Sequence, residues 1–381
     1  MNKLNKIIFN VFRSFSVPLF SFMISLVGVK FFGKIDWGNF IYHFTWILFF
    51  AFICAFGNKD YLLRLYSNNP SKVAQYFEKN LASRAILLLL VIILFFVFPI
   101  NIAKASFLLL LLLFVYQSFE SLIIYSQKFL AQLIVEIIGF LIIIGSFILY
   151  PHLNLEELLY IFCLSTFIKI LIISFYLKAY LLPIHFSFSL NEIKLLIPFF
   201  LIVFSGWMAS KIDLYIVNLI LPNDQIAEYQ LGISSFLLLQ SASYVIIAPF
   251  SKHLYRLNKS VILKIKKKLA FLSIPTVFLG TTIIFFILEI IIPLNLPFLF
   301  YILGGLASIP TYYFMVDILM FYRFNKEKTL MKINFFGAAL NLALTYLFIR
   351  YYGIIGAMAS VLITQCVFLI IYKSKNESIT S

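Results

Sequence analysis

The chain has 381 residues, of which 63% are hydrophobic and only 12% charged, with a mean hydropathy of +1.02 and a formal net charge of +15. A soluble domain of this composition would expose too much apolar surface to stay dissolved, so the expected class is an all-α integral membrane protein. The Lys and Arg residues lie between apolar runs, where they orient helices in the bilayer, and nucleic acid is not an expected partner.

A membrane span needs about 20 apolar residues, and that length picks out twelve stretches. The first six run roughly from 9 to 31, 38 to 57, 83 to 100, 106 to 125, 132 to 150 and 157 to 177. After the amphipathic segment YLLPIHFSFSLNEIK come six more, at 195 to 221, 227 to 250, 269 to 291, 297 to 321, 329 to 349 and 353 to 372. The first is longer than the apolar region of a secretory signal and no small-x-small cleavage site follows it, so it reads as a spanning helix. This gives an N-terminal six-helix bundle over residues 1–179, a cytoplasmic linker over 180–194 and a C-terminal six-helix bundle over 195–381.

Cytoplasmic loops are enriched in Lys and Arg, which tests the arrangement independently. With both termini inside, Lys30, Lys34, Lys104 and Arg350 fall outside, Lys169 and Lys211 fall within helices, and all the other Lys and Arg are cytoplasmic. Adding or dropping one span would scramble that partition. External loops are short, which argues against a membrane polymerase or transferase with an external site. The basic stretches 58–82 and 251–268 are cytoplasmic; they either rest on anionic lipid as topology anchors or draw a pyrophosphate-bearing lipid toward the membrane.

No catalytic pattern emerges. His43, His152, His185 and His253 are dispersed, and neither a metalloprotease helix, a phosphate-cradling glycine loop nor a nucleophile elbow occurs. Cys54, Cys163 and Cys366 stand singly in apolar segments, a pattern of core packing rather than of disulfides or zinc. Neither a metal nor a cofactor is expected.

Ionisable residues at membrane depth carry most of the functional signal. Glu120, Glu136, Lys169, Lys211, Asp213 and Asp317 would together cost about 15 to 20 kcal/mol if unpaired, so they are expected to pair or to line a wet cavity. Lys211 extends a polar line through Trp207, Tyr215 and Asn218, whereas Asp213 lies about 200° around the helix and cannot share that face. One of the two is expected to face the cavity while the other pairs with a neighbouring helix; both are substrate-binding candidates, with Lys211 the leading ligand for phosphate or sugar hydroxyls and an internal salt bridge as the alternative. Lys169 is its counterpart in the first half, unless it snorkels to the cytoplasmic edge. Glu120 and Glu136 flank a short loop and suit ion coupling, or else hydrogen-bond to Gln117, Gln127 or Gln132. Asp317 either binds substrate hydroxyls or pairs with Arg323, and Arg13 is a further phosphate candidate or a topology signal. Pro18, Pro198, Pro275 and Pro310 fall inside spans and mark bending points. Gly206, Ser210, Gly356 and Ser360 allow close helix approach.

The two halves open alike, with FFGKIDWGNF after the first helix and ILPNDQIAEY after the seventh. At these turns, at Asp213 in SKIDLYIVNLIL and over NLALTYLFIRYYGIIGAMAS, the sequence resembles the Wzx-type polysaccharide flippases of the multidrug/oligosaccharidyl-lipid/polysaccharide exporter superfamily. Ala227-Glu228 stands where that family usually has Gly in the second turn. The resemblance implies a MATE-like, V-shaped pair of six-helix bundles related by a pseudo-twofold repeat. It also implies a flippase for undecaprenyl-pyrophosphate-linked oligosaccharide in the bacterial cytoplasmic membrane, serving O-antigen or capsule synthesis by alternating access. Its partners would be the lipid-linked oligosaccharide, membrane lipids and polysaccharide polymerase or chain-length proteins. An ion-coupled multidrug or cation exporter of the same superfamily is the alternative, with a transferase or polymerase behind it.

Overall fold

The computed structural model describes residues 3–97, 104–181, 187–247 and 259–380, and no strand occurs among them. The helices are α1 Lys3–Ala55, α2 Asn58–Asn68, α3 Val73–Val97, α4 Lys104–Ser118, α5 Glu120–Ser126, α6 Phe129–Leu149, α7 Leu155–Leu177, α8 Leu190–Ile220, α9 Asn223–Ile247, α10 Lys259–Phe285, α11 Phe298–Arg323 and α12 Glu327–Thr380. A chain this apolar must satisfy its backbone internally, and helices do so within one segment. Helix covers every expected span as far as the described residues reach, and eight helices among them are long and apolar enough to cross a membrane. The protein is a multi-pass, all-α membrane protein.

Two pairs of expected spans each run together into one long helix broken at a glycine. Gly33 breaks α1 with φ 77°, and Gly353 breaks α12 with φ 53°. At Gly353 the chain doubles back. Tyr372 donates to Asn334 at 2.8 Å, Phe368 lies against Gly337, Ser360 meets Thr345, and Gly356 lies against Phe348, so the paired positions close in on the glycine. A Cβ on Gly356 would sit 2.3 Å from the Phe348 carbonyl oxygen, the close approach expected of that small residue.

The helices form two compact units, Met1–Phe20 with Phe31–Val203 and Ser21–Lys30 with Phe204–Ser381. In the first, the stretch 58–82 is more than a basic anchor. Its helix α2 buries Tyr61, Leu62 and Tyr66 in a core with Phe119, Val135 and Leu196. Glu192, in the first turn of α8, accepts from the Tyr61 hydroxyl at 2.9 Å and pairs with Lys79 at 2.8 Å, while the Ser189 N–H donates to Ser83 Oγ. The described end of the linker is therefore packed onto this unit.

Arg84, read from sequence as a cytoplasmic topology charge, is fully buried. Its guanidinium donates to the Cys54 and Ala55 carbonyls at 3.0 and 3.4 Å, to Asn80 Oδ1 at 2.8 Å and to Ser118 Oγ at 2.8 Å. Those carbonyls belong to the last turn of α1, where partnerless acceptors and the helix dipole both favour a cation. The chain leaves that turn through left-handed Phe56 and Gly57, and a Cβ at Gly57 would meet the Phe200 backbone nitrogen at 2.6 Å.

Two apolar centres are formed by described residues of the second unit. One joins Ile247, Leu269, Tyr312 and Val316, and the other joins Phe321, Leu330, Phe368 and Tyr372. Beyond α10 a π-helical turn, Phe286–Ile291, places Glu289 to accept from the Leu296 N–H at 2.8 Å and the Tyr301 hydroxyl at 2.5 Å. Pro18, Pro198, Pro275 and Pro310 all lie inside helices.

Candidate functional site

In the second unit, α8, α9 and α12 carry the polar residues that converge at depth. Asp213 is 2% exposed and accepts from the Tyr229 hydroxyl of α9 at 2.5 Å. On α12, Asn341 Oδ1 accepts from Thr345 at 2.9 Å and from Ser360 at 3.2 Å, and Ser360 also meets Thr345. Asn341 and Thr345 are one turn apart on one arm of the α12 hairpin, and Ser360 and Thr364 are one turn apart on the other. Each arm thus turns a polar line toward its partner.

These elements enclose a small cavity of about 40 Å³, lined among others by Ser210, Asp213, Gln240, Asn341, Thr364 and Gln365. Gln240 Nε2 and Gln365 Oε1 are buried without a hydrogen-bond partner among the described residues. A cavity of this size has room for water or for a partly dehydrated cation. One carboxylate with amide and hydroxyl oxygens is a hard-oxygen donor set, suited to Na⁺ or to a proton carried on the carboxylate. No group of three or more His, Cys, Asp or Glu able to hold a metal occurs among the described residues.

Lys211 is half-buried on α8. It has no hydrogen bond and no ion pair among the described residues, although its charge interacts with that of Asp213. Trp207 and Tyr215 flank it with ring centroids 5.2 Å apart, as their shared face requires. Asn218, next along this face, is 4% exposed and neither polar atom of its amide is hydrogen-bonded among the described residues.

In the first unit the structure joins two candidates that the sequence treats separately. Lys169 Nζ of α7 lies 2.7 Å from Glu136 Oε2 of α6, and the Tyr116 hydroxyl of α4 donates to Glu136 Oε1 at 2.6 Å. Lys169 therefore pairs internally instead of snorkelling. Glu120 meets Lys59 at 3.2 Å in a pair with side chains 35% and 43% exposed. Asp317 pairs with Lys266 at 2.5 Å and is 1% exposed. The side chain of Arg13 lies outside the described residues.

Sequence reasoning missed Tyr116, Gln240, Thr345, Thr364 and Gln365. The i, i+4 repeats of Asn and Thr on α12 carried a readable signal, whereas Tyr116 carried none.

No family model matches the chain, and no curated protein matches it. Solved structures do. The lipid II flippase MurJ in an inward closed conformation matches with a TM-score of 0.78 over 98% of this chain and 88% of its own, at 17% identity. An inward-facing multidrug resistance MATE family transporter of the MOP superfamily matches with a TM-score of 0.57 over 96% of this chain and 95% of its own, at 14% identity. A MATE structure in complex with Br-NRF gives 0.55 over 99% and 96%, at 13% identity. The chain thus has the fold of these transporters, the MATE-like architecture expected from its sequence.

Proposed function

We propose that the chain is a flippase that carries an undecaprenyl-pyrophosphate-linked oligosaccharide across the bacterial cytoplasmic membrane by alternating access, for O-antigen or capsule synthesis. The observation that carries this reading is the fold match to a protein named as a lipid II flippase over 98% of the chain. It joins the resemblance of the Asn341–Ser360 passage and of Asp213 to the Wzx-type flippases. On this reading the bundles are residues 1–179 and 195–381, joined by 180–194, and both termini are cytoplasmic. The transported lipid and membrane lipids are its partners, together with polymerase and chain-length proteins of the same synthesis. The protein acts as a transporter and not as an enzyme.

Lys211 is the substrate-side cation of the second unit, because a half-buried ammonium without an internal hydrogen bond has its donors available for phosphate or hydroxyls. Lys169 is its counterpart in the first unit, and Arg13 adds a further positive charge. Asp317 is engaged by Lys266 in this conformation, and contact with substrate requires that pair to open. Asp213 and its cavity hold the coupling cation. A role in coupling for Glu120 or Glu136 requires the release of Lys59 or Lys169.

The Asp213 cavity also favours a second reading, an ion-coupled multidrug or cation exporter, since the MATE transporters share the fold. The two separate on Lys211. Lys211→Ala is expected to abolish surface display of the glycan with membrane insertion intact; normal display would remove Lys211 from the site.

A further inference from the structure

The Glu136 group has the construction of an anion receptor filled by the protein's own carboxylate. Two donors reach one carboxylate from two other helices: the Lys169 ammonium of α7 at 2.7 Å on Oε2, and the Tyr116 hydroxyl of α4 at 2.6 Å on Oε1. A cation and a neutral donor on adjacent oxygens form a set that also suits two oxygens of a phosphate. The ammonium sits 5.7 Å from the centre of the Tyr116 ring, so the two donors stay together when the carboxylate leaves.

Gly139 fixes this geometry. It lies one turn beyond Glu136 on α6, and a Cβ there would stand 1.9 Å from Lys169 Cε. Only a bare backbone lets the lysine stem cross α6 at that height. The Ser165 hydroxyl donates to the Gly139 carbonyl at 3.0 Å and clamps α7 to the same turn. The group is not sealed, since the Lys169 and Glu136 side chains keep 17% and 9% of their exposure.

We infer that Glu136 is a built-in competitor for a phosphate site made by Lys169 and Tyr116. A phosphate of the transported lipid displaces its carboxylate and is later displaced by it. This rests on the flippase reading and adds a release step to it. A transport site must bind firmly enough to load and weakly enough to empty, and a bare buried lysine would hold a pyrophosphate too long. With Glu136 in place the empty site is neutral and inexpensive to keep at depth. With phosphate on Lys169, the displaced carboxylate faces a like charge, and its return drives the phosphate off.

The experiment is binding to the purified full-length protein in nanodiscs, with undecaprenyl pyrophosphate as probe and undecaprenol as the uncharged control. If the site is closed by Glu136 most of the time, its apparent affinity is reduced by the fraction open. Glu136→Gln is therefore expected to tighten pyrophosphate-lipid binding about tenfold and to leave undecaprenol unchanged. Glu136→Asp, which keeps the charge on a shorter stem, is expected to tighten it by a smaller factor, and serves if the Gln variant fails to fold. Lys169→Met is expected to remove the preference for the charged lipid, while Lys169→Arg restores part of it. Equal affinity in Glu136→Gln and wild type, or parallel weakening in the Glu136 and Lys169 variants, would overturn the inference, because a purely structural strut predicts that pattern. Tightened binding in a protein that moves no glycan lipid would sink the flippase reading and leave the site standing. Transport with unaltered binding would sink the site alone.

Discussion

Asp213 is the residue at which charge can be separated from packing. Its carboxylate is buried and accepts from the hydroxyl of Tyr229, which is itself 0% exposed. Asp213→Ala leaves that phenol without an acceptor in the interior, at a cost of about 1–3 kcal/mol. Asp213→Asn keeps an oxygen in the same place, so its folding cost is expected to be about 1 kcal/mol or less, while the one carboxyl group among the described residues lining the 40 Å³ cavity disappears. A cation bound by the folded protein alone adds about 2.7 kcal/mol at 100 times its Kd. The assay is thermal unfolding in detergent, titrated with NaCl against choline chloride at constant ionic strength. Wild type is expected to gain stability with Na⁺, and Asp213→Asn to unfold near wild type without salt and gain nothing from it. A Na⁺ response of equal size in both proteins would refute the assignment of the cavity as a cation site.

Arg84→Met keeps much of the apolar volume but strips donors from the Cys54 and Ala55 carbonyls and from Asn80, and about 3 kcal/mol of stability is expected to go with them. The drop in unfolding temperature checks this, and an unchanged value would show that the end of α1 needs no cation. Gly57→Ala forces a side chain into the left-handed helical region at about 1–2 kcal/mol, and Gly353→Ala forces one into positive-φ extended backbone at about 1–3 kcal/mol. At Gly353 the nearest atom to a Cβ is Gln225 Oε1 at 3.9 Å, while at Gly57 backbone atoms of Phe199 and Phe200 lie within 2.9 Å. Gly57→Ala is therefore expected to lower expression and stability far more than Gly353→Ala, and equal effects would show that the close approach at Phe200 does not matter.

Helix positions were legible because apolar length alone decides where a chain can cross a bilayer, and no tertiary contact competes with that rule. The breaks at Gly33 and Gly353 were also foreshadowed, since Gly33 falls between two expected spans and Gly353 opens the last one. Arg84 was misread because the Lys and Arg rule counts charge by its place in sequence, and a guanidinium at the start of an apolar run looks the same whether it faces water or caps a neighbouring helix. Among the charged residues at depth, sequence identified the residues but not their partners. Lys169 with Glu136, and Lys266 with Asp317, join helices whose relative rotation no single-helix pattern encodes. The polar lining contributed by Gln240, Thr364 and Gln365 escaped because neutral amides and hydroxyls cost little at depth and raise no alarm one at a time.

Movement of a large lipid from one leaflet to the other can be measured directly. The full-length protein is reconstituted in liposomes carrying a fluorescent undecaprenyl-pyrophosphate oligosaccharide, and a membrane-impermeant quencher reports the fraction in the outer leaflet over time. Wild type is expected to equilibrate the lipid between leaflets, and Lys211→Ala to leave it at the rate of empty liposomes. Empty-liposome rates for the wild-type protein as well, with drug cations moving instead, would contradict the flippase assignment.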